Sequence, residues 1–214
     1  YFDIHEQSVN AVATDAHKLV RYHINEIQNA QDLGVIIPKK SIKVLKSLLG
    51  NAEKISFGAD DSSVYFKIDG VLFISRLITE KYPNYHNVIP AQTESTMNID
   101  RIDLLNSLKR TSNFANKTTN QVNFDIEDGQ LKLQAKDMDF NSEAVETINC
   151  DFDAEPMQIS FNSSFLIDML GVLESNRVQF QFTSPRTACL IFPINEDLHV
   201  DQSLLMLIMP VAYN

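Results

Sequence analysis

The run Ala13-Thr14-Asp15-Ala16-His17-Lys18-Leu19 joins two strand-like segments of this chain, Val9–Thr14 and Lys18–Ile24. Two further runs of similar character stand far from it in the sequence. They are Tyr82-Pro83-Asn84-Tyr85, continuing to Val88-Ile89-Pro90, and Leu207-Ile208-Met209-Pro210-Val211. None of the three has the composition of a reaction centre. We expect them to come together in the fold and to form an apolar pocket with a polar rim.

The sequence around these runs repeats one pattern of secondary structure. A strand at Val35–Pro38, a helix over Lys39–Leu49 and several short strands recur as a strand at Gln158–Phe161, a helix over Ser163–Leu173 and further strands. We therefore predict an α+β fold of repeated modules, each an antiparallel sheet with helices on one face. The boundary between the two copies is expected near Ala91–Ser95.

Local signals mark where these elements begin and end. Asp100 and Asn162 are expected to cap helices over Arg101–Ser112 and Ser163–Leu173. The Asp-Gly pairs at 69–70 and 128–129 predict tight hairpin turns.

The length and amino-acid composition of the chain are those of a globular protein. The chain has 214 residues, of which 44% are hydrophobic, and this suits two ordinary globular domains. No apolar run approaches the ~18 residues that a membrane span needs, and no signal peptide opens the chain. Because Tyr1 falls directly into strand-like sequence, we expect a fragment whose beginning has been removed. Cys150 and Cys189 are not spaced like the ligands of a metal site. We therefore expect both thiols to be reduced, as in a cytoplasmic protein.

The formal net charge of −10 speaks against nucleic acid, but the positive charges are segregated. Lys39, Lys43 and Lys46 share one stripe of the first predicted helix, with Lys40 beside them and no acidic residue within the helix. Most stripes of charged residues on a helix are simply exposed to solvent. Here, however, positive charges occur without negative ones, and this favours contact with phosphate. The DNA-facing prediction also includes Arg101, Lys109 and Arg110 of the second helix.

The alternative hypothesis is an enzyme, a hydrolase that uses Asp15 and His17. The chain lacks metal-ligand motifs and a Gly-x-Ser-x-Gly nucleophile elbow. An aspartate is also common in a turn between two strands, so the presence of Asp15 needs no catalytic role to explain it. We therefore predict a protein that is not an enzyme and that uses no cofactor and no metal. A β-rich interaction module without any role on DNA is the third hypothesis.

In order and spacing, the three runs resemble the bacterial DNA sliding clamp, the beta subunit of DNA polymerase III. Ala16, Lys18 and Tyr82 stand where that family usually has glycine, arginine and phenylalanine. Resemblance implies a non-catalytic processivity factor that encircles duplex DNA without reading its sequence. It also implies that polymerase, clamp loader and repair proteins dock short Gln-x-x-(Leu/Met)-x-x-(Leu/Phe)-like peptides in a hydrophobic pocket. The pocket positions implied are Thr14, His17, Lys18, Leu19, Pro83, Val88, Asn162, Phe165, Met209, Pro210 and Val211.

The same resemblance implies how the chain is divided and assembled. Residues 1–93 correspond to a partial middle clamp domain without its opening strand and helix, and residues 94–214 to a complete C-terminal domain. The full-length family member would close as a homodimer ring in the cytoplasm. Phe114, Glu143 and Glu146 fall on its ring interface.

Overall fold

The structure, a computed structural model, describes residues 1–25, 32–50 and 52–212. The chain separates into two compact units, and each is described by itself. The first comprises Tyr1–Ala13 and Tyr22–Asn84, and the second comprises Thr14–Arg21 and Tyr85–Asn214. The run that includes His17 therefore folds with residues that lie far away in the sequence.

The first unit combines two antiparallel strand groups with one helix. Strand β1 pairs on one side with β2 and on the other with β4, while β5, β6 and β7 form a separate sheet in that order. Its elements are β1 Phe2–Ile4, β2 Ser8–Thr14, the end of β3 Lys18–Asn25, β4 Leu33–Val35, α1 Lys39–Leu49, β5 Ser56–Ala59, β6 Ser63–Ile68 and β7 Val71–Arg76.

The second unit contains an eight-stranded antiparallel sheet in the order β12-β9-β10-β11-β8-β13-β14-β15. After a 3₁₀ turn at Tyr85–Val88, its elements are β8 Ser95–Asp100, α2 Arg101–Thr111, a 3₁₀ turn at Ser112–Phe114, β9 Gln121–Glu127, β10 Gln130–Asp137, β11 Ser142–Phe152, β12 Met157–Asn162, α3 Ser163–Gly171, β13 Arg177–Phe182, β14 Cys189–Ile194 and β15 Leu204–Ile208. These bounds confirm the predicted α+β class with antiparallel sheets.

The core of the second unit lies between this sheet and helices α2 and α3. Leu104 and Leu108 of α2 and Leu166 and Leu170 of α3 are fully buried against inward-facing strand residues such as Phe124. Burying one such side chain is worth about 1.5–3 kcal/mol. The alternation of buried and part-exposed residues along β9 and β13 keeps the opposite face of those strands polar.

The predicted local signals are confirmed where the structure describes them. The Asp100 side chain accepts a hydrogen bond from the Asp103 N–H, and Asn162 accepts from the N–H groups of Ser164 and Phe165. Asp69 and Gly70 both have positive φ, as a tight two-residue hairpin requires.

Strand β1 and helix α1 each add a detail to the sequence-based prediction. Strand β1 at Phe2–Ile4 lies in the strand-like sequence that was expected directly after Tyr1. Helix α1 buries only Leu45, whereas its other apolar residues Ile42 and Leu48 are 37% and 39% exposed.

Both cysteines are free and buried. The Cys150 thiol lies 3.8 Å from the Glu127 carbonyl oxygen, and burial raises its pKa to about 11. The Cys189 thiol is wholly enclosed, and burial raises its pKa well above the ordinary value. Within the described ranges, every helix falls short of the length and apolar character that a membrane-spanning helix needs.

Candidate functional site

The turn between β2 and β3 is tied together by two short side chains. The Thr14 hydroxyl donates to the Lys18 carbonyl at 2.8 Å and accepts from the Ala16 N–H. The Asp15 carboxylate accepts from the backbone N–H groups of His17 and Lys18 at 3.1 and 3.0 Å. These bonds fix the turn so that His17 and Lys18 leave it in defined directions.

Ala16 occupies the position where the sequence analysis noted the absence of glycine. Its φ is 72°, in the left-handed region. A residue with a Cβ pays about 1 kcal/mol or more there relative to glycine. Ala16 therefore adopts the left-handed backbone conformation that glycine would adopt more easily. The hydrogen bonds of the Thr14 and Asp15 side chains stabilise the turn in this conformation.

Asp15 and His17 do not have the arrangement of a hydrolytic pair. Burial acts to raise the pKa of Asp15, but hydrogen bonds from the Lys18 ammonium and from the N–H groups of Lys18 and His17 outweigh it. They lower that pKa from 3.8 to about 2. Such a carboxylate is a poor general base at neutral pH. No group of His, Cys, Asp or Glu side chains within the described ranges is placed to hold a metal ion.

Phe165 lies at the centre of the contacts made by this turn. Asn162 caps the first turn of α3 and so fixes the helix that presents Phe165. The His17 ring stacks on the Phe165 ring with centroids 5.6 Å apart, and the Lys18 Nζ lies 4.0 Å from the same ring centroid. Lys18 also forms an ion pair with Asp15 at 2.8 Å. An ammonium at that distance from an aromatic face is a cation–π contact.

The segment after β15 completes the cluster. The Met209 N–H donates to the His17 carbonyl at 2.9 Å, and the Val211 N–H donates to the Ser160 carbonyl at 2.8 Å. The Met209 side chain is 40% exposed, while Pro210 and Val211 are partly buried. Apolar surface is thus available beside the polar groups of His17 and Lys18.

The structure brings most of the predicted pocket residues into one unit. Ring and cation–π contacts join the turn to Phe165, and a backbone hydrogen bond joins it to Met209. Asn162 and Val211 anchor the two neighbouring segments. Leu19 is 2% exposed and packs as core, so it can only support the site from behind. Val88 is 51% exposed on the 3₁₀ turn of the same unit, and Pro83 belongs to the other unit.

The lysines of α1 form an unpaired positive surface on the first unit. Lys39, Lys40, Lys43 and Lys46 are all exposed, and none forms an ion pair with a residue in the described part of the chain. The helix thus contains no acidic residue, and its lysines have no carboxylate of the described residues within ion-pair distance.

The prediction that Arg101 faces DNA was wrong. Arg101 is 8% exposed, and its guanidinium donates to the carbonyl oxygens of Leu170, at 3.1 Å, and of Ser175. Leu170 lies in the last turn of α3, where carbonyl groups lack partners within the helix. Arg101 therefore caps α3, and its buried guanidinium is not accessible to a phosphate group.

Arg110 and Glu146, which were assigned to different surfaces, pair with each other. The Arg110 guanidinium makes two parallel bonds to the Glu146 carboxylate at 2.7 and 2.6 Å. The hydrogen bond from Arg110 is the main reason that the pKa of Glu146 is lowered. The pair offsets the charge of Arg110. Of the predicted DNA-facing residues of α2, Lys109 is exposed and forms no ion pair with a described residue.

The other interface residues lie near this pair. Phe114 is 42% exposed in the 3₁₀ turn after α2, and Glu143 is exposed on β11, where it accepts from the Gln134 amide. Strand β11 pairs with β10 along residues 142–149 and with β8 only from Cys150 to Phe152. No described strand pairs with the remaining edge of β11, which lies next to an exposed aromatic ring.

Sequence reasoning did not select Asp15 and Ser160 as parts of the site. Asp15 was explained as a turn residue, although it also orients Lys18 by an ion pair. Ser160 is 1% exposed and receives the Val211 N–H on its carbonyl, a role that any residue type can perform. No signal in the sequence could have identified Ser160.

Comparisons with known proteins agree with this architecture. Residues 1–84 match the family model described as the DNA polymerase III beta subunit, central domain. Residues 86–212 match the model of its C-terminal domain. The predicted boundary between residues 93 and 94 stays a prediction, and the compact second unit of the structure resumes at Tyr85.

Curated relatives of this chain include beta sliding clamps. The beta sliding clamp of Caulobacter vibrioides is 27% identical over 188 residues, which is 87% of this chain and 50% of that protein. The chain thus spans about half the length of the curated relatives it matches.

Solved structures give the same match. A DNA polymerase III beta subunit from Thermotoga maritima has a TM-score of 0.90 at 25% identity and covers 100% of this chain and 57% of its own. A sliding clamp from Bartonella birtlesii bound to griselimycin has a TM-score of 0.88 at 27% identity, with the same coverage.

Proposed function

Because this chain belongs to the family of the DNA polymerase III beta subunit, the beta sliding clamp, we propose that it is part of a ring that encircles duplex DNA and tethers a polymerase to it. The family is one of non-catalytic processivity factors in DNA replication. A tether raises the effective concentration of the polymerase at the template without any new chemistry. We place this role in the bacterial cytoplasm, with polymerase, clamp loader and repair proteins as partners.

One observation carries the proposal of a peptide site. Three sequence segments that are distant in the chain converge on Phe165, where His17 stacks, Lys18 lies over the ring and the Met209 N–H bonds to His17. An apolar ring and an exposed methionine edged by a histidine and a lysine can take one or two apolar anchors of a peptide. Methionine adapts to several partners because its side chain is flexible.

We expect micromolar affinity for a synthetic Gln-x-x-Leu-x-x-Leu peptide. Each buried anchor contributes about 1.5–3 kcal/mol, and ordering the peptide offsets part of it. Titration calorimetry with this peptide and a scrambled control measures the affinity, and griselimycin, which is bound to the Bartonella birtlesii clamp, serves as a competitor. Equal binding of the ordered and scrambled peptides would contradict the proposal.

The lysines of α1 support phosphate contact. Four exposed lysines without acidic partners lie along or beside one stripe of the helix in a chain of net charge −10. Such a surface attracts a polyanion without reading bases, and its binding weakens with salt because counterions are released. We propose Lys39, Lys40, Lys43, Lys46 and Lys109 as the DNA-facing residues and omit Arg101 and Arg110.

Replacing Lys39, Lys43 and Lys46 together by alanine should flatten the salt dependence of duplex DNA binding. The loss of up to three phosphate contacts lowers the slope of log K against log salt concentration by about 0.9 per contact. Fluorescence anisotropy with a labelled duplex over a salt series measures this slope. The matched control replaces the exposed Lys54, Lys67 and Lys81, which changes the net charge equally. Equal slopes for both triple variants would favour the interaction module without a role on DNA.

We also propose Phe114, Glu143 and Glu146 as one half of a ring interface. An exposed aromatic ring beside an edge of β11 that pairs with no described strand supports this proposal. Head-to-tail rings close only when both complementary surfaces are present. A stable two-subunit ring formed by these 214 residues alone, seen by native mass spectrometry, would contradict this assignment of the interface.

A further inference from the structure

The terminal segment Met209–Ala212 is held at three points. The N–H groups of Met209 and Val211 donate to the carbonyl oxygens of His17 and Ser160. The third bond joins the Ala212 carbonyl oxygen to the Nε2 of Gln121 at 3.1 Å. The first two bonds involve backbone atoms alone and would form with almost any sequence. Only the third depends on a side chain, and that side chain belongs to a residue outside the predicted pocket.

The Gln121 amide is itself held in one orientation. Its Nε2 also donates to the Asn123 Oδ1 at 3.0 Å, and the same oxygen accepts from the Ser160 hydroxyl at 2.7 Å. A glutamine amide has two N–H donors, and here the two acceptors are the Asn123 side chain and the Ala212 carbonyl. The Gln121 oxygen therefore points away from the terminal segment.

The strand register explains why these groups meet. Gln121 and Asn123 are two residues apart on β9 and so lie on one face of the sheet. Asn123 pairs with Ser160 of the neighbouring strand β12, and Val211 forms an isolated bridge with Ser160. A connected series of hydrogen bonds thus runs from Ser160 through Asn123 and Gln121 to Ala212.

We propose that Gln121 is a positioning residue of the peptide site, an inference that rests on the proposed function. It fixes the end of the segment that carries Met209, Pro210 and Val211, so this wall of the site is ordered before a ligand arrives. Without the anchor, a ligand would have to order the segment during binding, and that entropy would be subtracted from the affinity. Asn123 and Ser160 support the anchor by orienting its amide.

The test compares Gln121→Ala with two other variants. Gln121→Arg keeps N–H donors at this position, and Gln130→Ala removes an exposed glutamine of β10 whose side-chain amide donates to Glu127. We expect Gln121→Ala to weaken binding of the Gln-x-x-Leu-x-x-Leu peptide about three- to tenfold, the effect of one hydrogen bond. We expect its melting temperature to stay that of the parent. Gln121→Arg should restore affinity to within about twofold, and Gln130→Ala should change nothing.

A second readout does not depend on any ligand. The Val211 amide should exchange with deuterium faster in Gln121→Ala than in the parent, while core amides such as that of Phe124 keep their rates. Unchanged Val211 exchange together with unchanged affinity would overturn the proposal. So would a fall in melting temperature that Gln121→Arg does not reverse, because that result makes Gln121 merely structural. If the parent itself binds no peptide, the proposed function fails, and Val211 exchange still decides whether Gln121 anchors the segment.

Discussion

A chain that ends at Ile208 is expected to lose measurable binding of the Gln-x-x-Leu-x-x-Leu peptide, a decrease of about a hundredfold or more. Removing Met209, Pro210 and Val211 deletes the exposed apolar wall and the bond from the Met209 N–H to His17. Two apolar anchor contacts at about 1.5 kcal/mol or more each account for this loss. Titration calorimetry of the truncated chain against the parent measures it.

The fold should survive this truncation. Strand β15 ends at Ile208, whose side chain is fully buried and stays in the shortened chain. A melting temperature close to that of the parent would show that the loss concerns the site alone. The matched control ends at Ala212 and keeps every described contact of the segment, so it should bind like the parent. A chain ending at Ile208 that still bound the peptide with parental affinity would rule out the assigned site.

Arg101→Ala is expected to lower the free energy of unfolding of the second unit by about 2–4 kcal/mol. The substitution leaves the carbonyl groups of Leu170 and Ser175 without their donor and opens a space beside α3. It also removes a positive charge from the C-terminal end of that helix, where the helix dipole favours one. Urea denaturation followed by circular dichroism measures the change.

Two companion variants separate burial from charge. Lys109→Ala removes an exposed cation from α2, the helix that also carries Arg101. It should change the free energy of unfolding by less than about 0.5 kcal/mol. Arg101→Lys keeps the charge but lacks the planar fork that reaches two carbonyl oxygens, so it should recover only part of the loss. If Arg101→Ala left stability unchanged and weakened DNA binding instead, the original DNA-facing prediction would be right and the cap would be wrong.

The sequence allowed the elements of the fold to be predicted because their signals are local. Asp100 and Asn162 cap helices through side chains next to the backbone groups they satisfy, and Asp69-Gly70 closes a hairpin through its own φ angles. The three pocket runs could be recognised for a similar reason, since each is a short stretch of adjacent residues that can be read directly from the sequence.

What the sequence did not disclose depends on contacts between distant residues. Arg101 reads as one more basic residue of α2, and only the position of the end of α3 makes it a buried cap. Arg110 and Glu146 stand 36 residues apart, and no pattern links them. Gln121 belongs to no motif, because its role arises where β9 passes the terminal segment.

The burial of both thiols makes the chain suited to site-specific labelling. Cys150 and Cys189 are the only cysteines, and their raised pKa values keep them as unreactive thiols at neutral pH. A single cysteine introduced at an exposed position, such as Ser164 beside Phe165, would therefore be the one group that a maleimide dye modifies quickly. Fluorophores could be placed on this protein one position at a time without first removing its native cysteines.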